Sequence, residues 1–174
     1  MGIQNKTGNI TESLVRDEIL KLGLIVYKPV PDRGVDFVVT SSKKPDTKLK
    51  VQVKGRGEIQ KNNHYRWFQV RTTQKQREEA LKDGLPVSEA WKKKIAKVDI
   101  FIFVSQKFHE FWIFESTDIE NLIQVNRLKH GNRKDNLEGY QSEIDLDLEY
   151  NGIPLTEIYH KNLNNWDLII NHLS

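Results

Sequence analysis

The 174-residue sequence predicts an α/β fold in which helices flank one mixed central sheet. Residues 9–22 predict a helix, because apolar side chains recur at helical spacing up to Leu22. Residues 49–54 alternate apolar and polar side chains, which is typical of a strand. The apolar run at residues 100–104 is too short to cross a bilayer, so it predicts a buried strand.

Other segments complete this pattern as an α-β-β-β-(β)-α-β-β order. We expect strands at 24–27, 35–40, 65–71, 99–105 and 108–114, and helices at 74–82, 88–97, 117–125 and 164–173. Ser88 is the expected N-cap of its helix. We find no repeat or long linker and therefore expect one domain over residues 1–174, with a core at about 8–115 and an extension at about 116–174.

Several classes of protein are excluded or disfavoured by composition. The absence of cysteine excludes disulfides, iron–sulfur clusters and thiolate zinc sites. The five His residues lack ligand spacing, and no Gly-rich phosphate loop indicates a nucleotide cofactor. The polar N-terminus lacks the apolar region of a secretion signal. We expect a cytoplasmic protein with no membrane partner, nucleoid-associated if its source is bacterial.

Charge is distributed unevenly along the chain. Basic and acidic side chains balance in residues 1–42, whereas residues 43–97 carry a net +10 and residues 98–174 a net −7. The basic block favours a polyanionic partner such as nucleic acid. A solvated, charged surface is the alternative explanation, and charge alone does not decide between them.

Three polar residues on two neighbouring strands predict a reactive centre. Asp36 lies within the apolar run GVDFVV, where a carboxylate is costly to bury without a partner. Gln52 and Lys54 project from one face of their strand. Carboxylate and amide oxygens suit Mg²⁺, and an ammonium group can orient a bound water and stabilise charge at a phosphate. Asp36 as a turn cap or ion-pair partner, and Lys54 as a solubilising side chain, are the structural alternatives.

The runs GN-IT-E-SLV, P-D-x-G-V-D-F-V-V and V-Q-V-K resemble the PD-(D/E)xK nuclease superfamily, most closely its resolvase-like branch. The resemblance covers residues 8–54, and the strand pair at 99–114 fits more loosely. It implies a restriction-endonuclease-like fold with an αβββαβ core. It also implies an endonuclease that hydrolyses DNA phosphodiester bonds with Mg²⁺, or with Mn²⁺ as a substitute.

The same resemblance implies a role for each site residue. Asp36 would be the metal-binding Asp, Lys54 the catalytic Lys and Glu12 the helix carboxylate, with the Val53 carbonyl as a further metal ligand. Gln52 stands where the family usually has Asp or Glu, so weaker metal affinity is expected. Pro31–Asp32 spells the family motif literally, but Asp36 is preferred because it falls within the predicted strand. Glu18 is a competitor for the role of Glu12, and either could simply be a surface residue.

The segment that follows is rich in cations and amides that suit DNA, where Lys and Arg neutralise phosphates and Asn, Gln and Arg read base edges. The DNA-binding candidates are Arg56, Lys61, Asn62, Asn63, His64, Arg66, Arg71, Gln74 and Lys75. Tyr65 and Trp67 are interleaved with them and favour a core role over base stacking.

The function favoured by the sequence is sequence-specific double-strand cleavage of the homing or restriction type. Cutting both strands calls for a homodimer or homotetramer, because one site cuts one strand. A structure-specific, resolvase-like nuclease remains an alternative. So does a catalytically inactive nucleic-acid-binding module of the same fold, and RNA remains open as the substrate.

Overall fold

The computed structural model describes residues 3–30, 34–58, 64–130 and 142–174. The helices are α1 (Ile3–Lys21), α2 (Gln74–Lys82), α3 (Trp91–Ile95), α4 (Ser116–His130), α5 (Leu155–Ile158) and α6 (Asp167–Leu173). The strands are β1 (Ile25–Tyr27), β2 (Phe37–Thr40), β3 (Leu49–Arg56), β4 (Trp67–Val70), β5 (Ile100–Ser105), β6 (Glu110–Glu115), β7 (Ser142–Asp145), β8 (Glu149–Tyr150) and β9 (Ile153–Pro154). Across these described ranges, no helix is both long and apolar enough to cross a membrane.

The central sheet has the strand order β1-β2-β3-β5-β6. Strands β3 and β5 run parallel at its centre, and the other neighbours pair antiparallel, so the sheet is mixed. Strands β4 and β7 form a separate antiparallel ribbon, and β8 pairs with β9. The predicted fold class, a mixed sheet flanked by helices, is confirmed.

Both faces of the central sheet are covered. On one face, Val51 and Val53 of β3 pack with Val15 of α1 and Ile169 of α6. On the other face, Phe103 of β5 belongs to a core with residues of the β4–β7 ribbon, α3 and α4. The period-two pattern of β3 therefore determines which of its side chains enter each core.

Helix α1 packs on β3 at Gly55, where the Thr11 side chain lies directly over the glycine. A Cβ atom at Gly55 would lie 2.1 Å from Cγ2 of Thr11, which is 1% exposed. Glycine at this position is therefore a packing requirement, and it sets the distance between α1 and the end of β3.

Two expectations about secondary structure are wrong in detail. Strand β4 does not join the central sheet, because its partner is β7, which lies in the stretch at 126–150 that no sequence pattern resolved. Ser88 is not an N-cap: it lies inside a 3-10 turn, Val87–Glu89, that follows the extended Pro86, and α3 begins only at Trp91. Helix α4 also extends past its expected range.

Substitution of Gly55 tests the close packing of α1 on β3. Gly55→Ala should lower the free energy of unfolding by about 1–3 kcal/mol, because the new methyl group overlaps the Thr11 side chain. Chemical denaturation followed by circular dichroism measures the change.

Gly8→Ala is the matched control, since it adds the same methyl group to α1 where nothing lies within 4 Å. It should leave stability unchanged or raise it slightly. Equal stability of the two variants would contradict the proposed packing requirement.

Candidate active site at the ends of strands β2 and β3

Asp36 lies one residue before β2 rather than within it, but it continues the pairing with β3. Its backbone N–H donates to the Val51 carbonyl at 2.9 Å, and its Oδ2 accepts from the Val53 N–H at 2.7 Å. Gly34, with φ of +88°, turns the chain just before this point. The carboxylate is thus held against β3 by backbone geometry.

The carbonyl of Val53 faces the same side of β3 as the Asp36 carboxylate. The N–H and C=O groups of one strand residue point to the same side, and the Val53 N–H points to Asp36. A carboxylate oxygen and a backbone carbonyl oxygen therefore border one region beyond the start of β2.

Gln52 lies opposite Asp36 if the β2–β3 register is continued by one residue. Its side chain is 1% exposed, and its Nε2 donates to the Gly34 carbonyl at 2.7 Å. Its Oε1 is buried, and no hydrogen-bond donor reaches it within the described ranges. A buried, unpaired acceptor is costly, so this oxygen is suited to receive a cation or a donor from a ligand.

Lys54 follows on the same face of β3, beside Phe103 of β5. Its side chain is half-buried, and within the part of the chain that the structure describes no hydrogen bond or ion pair holds its ammonium group. The strand-end site, defined by Asp36, Gln52, Val53 and Lys54, thus combines acceptor oxygens with one cationic donor.

Glu12 follows Thr11 on α1, the residue that contacts Gly55. Its Oε2 lies 2.9 Å from Nζ of Lys28, which follows β1. This ion pair links the helix to the segment that leads to Asp36. Among the described residues, no three His, Cys, Asp or Glu side chains form a cluster able to hold a metal ion.

Arg56 is engaged by the β4–β7 ribbon. Its guanidinium group lies 4.2 Å from the centre of the Trp67 ring, and its Nε donates to the Trp67 carbonyl. Burial lowers the pKa of Arg56, and the nearby Glu143 opposes this effect. Trp67 is half-buried beneath the cation and belongs to neither hydrophobic core, which differs from the core role that the sequence favoured.

Arg66 is held by two carboxylates. Its Nε and Nη2 donate to the two oxygens of Glu110 at 2.6 and 2.7 Å, and its Nη1 donates to Asp147 at 2.8 Å. Its guanidinium also stacks on Phe108. These hydrogen bonds raise the pKa of Arg66 and connect the residue before β4 to β6.

Four of the other DNA-binding candidates are more accessible. The exposed candidates are His64, Arg71, Gln74 and Lys75. Arg71 donates to Oε1 of Gln69 at 2.9 Å, and Gln74 donates to Glu78 at 2.9 Å. Lys61, Asn62 and Asn63 lie outside the described residues.

The fold resembles that of a homing endonuclease. The solved structure of the bacterial homing endonuclease I-Ssp6803I superposes with a TM-score of 0.53, covering 98% of this chain and 94% of that chain at 19% sequence identity. No protein-family model matches the sequence. A search of the curated proteins finds no match either.

Two polar residues of the β4–β7 ribbon were missed by sequence reasoning. Gln69 on β4 pairs in register with Glu143 on β7, and Nε1 of Trp67 donates to Glu143 at 3.3 Å. The alternation of apolar and polar residues around Gln69 indicates that its side chain points away from the core. Nothing in the sequence near Glu143 indicates that its strand pairs with β4.

Arg66→Met tests whether Arg66 is structural. It should lower the free energy of unfolding by about 2 kcal/mol, because Glu110 would keep a partly buried carboxylate without its cation. Thermal unfolding measures this loss. Lys75→Met, on an exposed cation, is the control and should leave stability unchanged. An Arg66→Met protein of native stability would show that the ion pairs contribute nothing.

Proposed function

We propose that this chain is a Mg²⁺-dependent endodeoxyribonuclease. The observation that carries the proposal is the hydrogen bond that holds the Asp36 carboxylate against β3 just before β2 begins, at the part of β3 that carries Gln52 and Lys54. The similarity of the fold to a homing endonuclease over nearly the whole chain supports it. The PD-(D/E)xK resemblance of the same residues supports it further.

The donor set of the strand-end site fits a hard cation. The Asp36 carboxylate, Oε1 of Gln52 and the Val53 carbonyl would hold Mg²⁺, or Mn²⁺ as a substitute, with Glu12 acting through water. Mg²⁺ typically takes one or two carboxylates and keeps several waters, so one charged ligand and two neutral oxygens are sufficient. When bound, the cation supplies Lewis-acid polarisation of the phosphate.

Lys54 is the residue that acts on the reacting groups. Its Nζ would donate a hydrogen bond to the attacking water and stabilise negative charge that develops on the phosphate oxygens. The water oxygen forms a bond to phosphorus and releases a proton to solvent, while the bond to O3′ breaks and O3′ takes up a proton from solvent. A 5′-phosphate and a 3′-hydroxyl remain. Asp36 keeps its orientation through the Val53 N–H during this step.

The proposed substrate is duplex DNA that is cut at a preferred sequence, as a homing or restriction enzyme would cut it. The net +10 of residues 43–97 supports a polyanionic substrate. Exposed Arg71 and Lys75 lie in that block and would contact phosphates or base edges. Cleavage of both strands requires two such sites, so the proposal includes a homodimer or homotetramer.

One observation favours a second candidate, a DNA-binding module without catalysis. Gln52 supplies a neutral oxygen where a carboxylate would bind metal more strongly, and its Nε2 is already bonded to Gly34. Asp36 could then serve only to cap the end of β3.

Substitutions in the strand-end site separate these functions. Asp36→Asn keeps an oxygen that accepts from the Val53 N–H but removes the charge, so the fold should persist while Mg²⁺-dependent cleavage falls at least about 100-fold. Lys54→Met should reduce cleavage by a similar factor. Plasmid and oligonucleotide cleavage, with Mg²⁺ or EDTA, measures both effects.

Lys50→Met is the matched control, because Lys50 lies on the same face of β3 but is exposed and pairs with Val38 inside β2, outside the strand-end site. It should cleave like the unmodified chain. DNA binding without Mg²⁺-dependent cleavage of any substrate would favour the binding module, and full cleavage by Asp36→Asn would remove Asp36 from the mechanism.

Gln52→Glu tests whether a cation binds beside Gln52. In EDTA the variant should unfold at lower temperature, because it loses the bond to Gly34 and buries a second carboxylate near Asp36. Mg²⁺ should restore much of that loss, since a ligand that binds the folded state stabilises it.

Asn162→Asp is the control for this experiment. Its Nδ2 donates to Ile113 at 2.8 Å and its Oδ1 is buried without a described partner, so it reproduces the environment of Gln52 away from the strand-end site. Mg²⁺ should not rescue it. An equal response of the two variants to Mg²⁺ would argue against a cation at Gln52.

A further inference from the structure

The β4–β7 ribbon has one apolar face and one polar face. Phe68 and Val70 of β4 and Ile144 of β7 are buried against the central sheet. The alternate residues, Trp67 and Gln69 of β4 with Glu143 of β7, point to the opposite side and are half-buried. This outer ribbon face, with Arg71 at its end, remains in contact with solvent.

The side chains of the outer ribbon face are already oriented by one another. Arg71 donates to Gln69, and Trp67 donates to Glu143. Arg56, two residues after Lys54 on β3, lies over the Trp67 ring. Through Arg56, the outer ribbon face therefore adjoins the strand-end site, because Arg56 and Lys54 are two residues apart on β3.

The charges on this surface balance. Arg56 and Arg71 are offset by Glu143 and Asp145, all of which interact electrostatically around Arg56. A surface that only neutralises phosphates carries an excess of cations. A balanced surface with an amide and an exposed guanidinium is instead suited to hydrogen bonding with base edges.

We propose that the outer ribbon face reads base pairs of duplex DNA in the major groove. The proposal rests on the proposed function and names the element that would give it sequence preference. The major groove admits a two-stranded β ribbon, and Gln and Arg form paired hydrogen bonds with adenine and guanine. Gln69 and Arg71 would contact the bases.

The test uses a randomised duplex library and the full chain. Bound duplexes are recovered in EDTA and sequenced, and the ends produced in Mg²⁺ are sequenced separately. Gln69→Met keeps the size of the side chain and removes its hydrogen-bonding groups. It should lower the preference for one base pair by roughly 5- to 150-fold in both data sets.

Gln124→Met is the matched control, because Gln124 is exposed on α4, outside the ribbon, and its Nε2 donates to Glu120 at 3.5 Å. It should keep the original profile. Circular dichroism confirms that both variants fold, and Arg71→Met provides an independent variant at the exposed end of the face.

Each outcome bears on one proposal. A relaxed profile in Gln69→Met or Arg71→Met, but not in Gln124→Met, supports base reading. Unchanged profiles in both ribbon variants, or no enriched sequence with the unmodified chain, overturn it, even if cleavage is robust. Sequence enrichment in EDTA without any cleavage in Mg²⁺ overturns the nuclease function while it preserves base reading. Stronger recovery of a randomised RNA library, bound in parallel under the same conditions, overturns the major-groove proposal.

Discussion

The pair of hydrogen bonds between Asp36 and β3 is the interaction on which the candidate site depends. The backbone N–H of Asp36 donates to the Val51 carbonyl, and the Asp36 carboxylate accepts from the Val53 N–H. Just before β2 begins, the Asp36 side chain thus accepts the hydrogen bond that a backbone carbonyl would accept in a continuing strand. Because the bonds fix the carboxylate, its position relative to Gln52 and Lys54 follows from strand geometry rather than from a mobile loop.

The close approach of α1 to β3 places Glu12 at the same end of the sheet. Gly55 allows Thr11 to rest on the strand, and the Glu12–Lys28 pair then joins the helix to the chain that enters β2. The identity and burial of Gln52 affect how strongly the site can bind a cation. A nearly inaccessible carboxamide with one unpaired oxygen is a weaker cation ligand than a carboxylate, yet it avoids two adjacent buried negative charges.

Four described cations of the basic block fall into two groups in space. Arg56 and Arg66 are bound to aromatic rings, carbonyls and carboxylates, so their charge stabilises the contact between the ribbon and the central sheet. Arg71 and Lys75 are exposed and remain available to a polyanion. A net charge calculated over a segment therefore overstates the cationic surface offered to DNA, because it counts both groups alike.

Local sequence determined α1, the alternation of β3 and the start of α2, where Thr73 and Gln76 cap the helix. It also predicted that Asp36, Gln52 and Lys54 lie close together. Only the tertiary structure decided that β4 leaves the central sheet to pair with β7. It also decided that Arg66 binds carboxylates 44 and 81 residues away. The physical reason is that periodicity specifies which face of an element is buried, whereas the segment that covers it is selected by packing and chain closure over long separations.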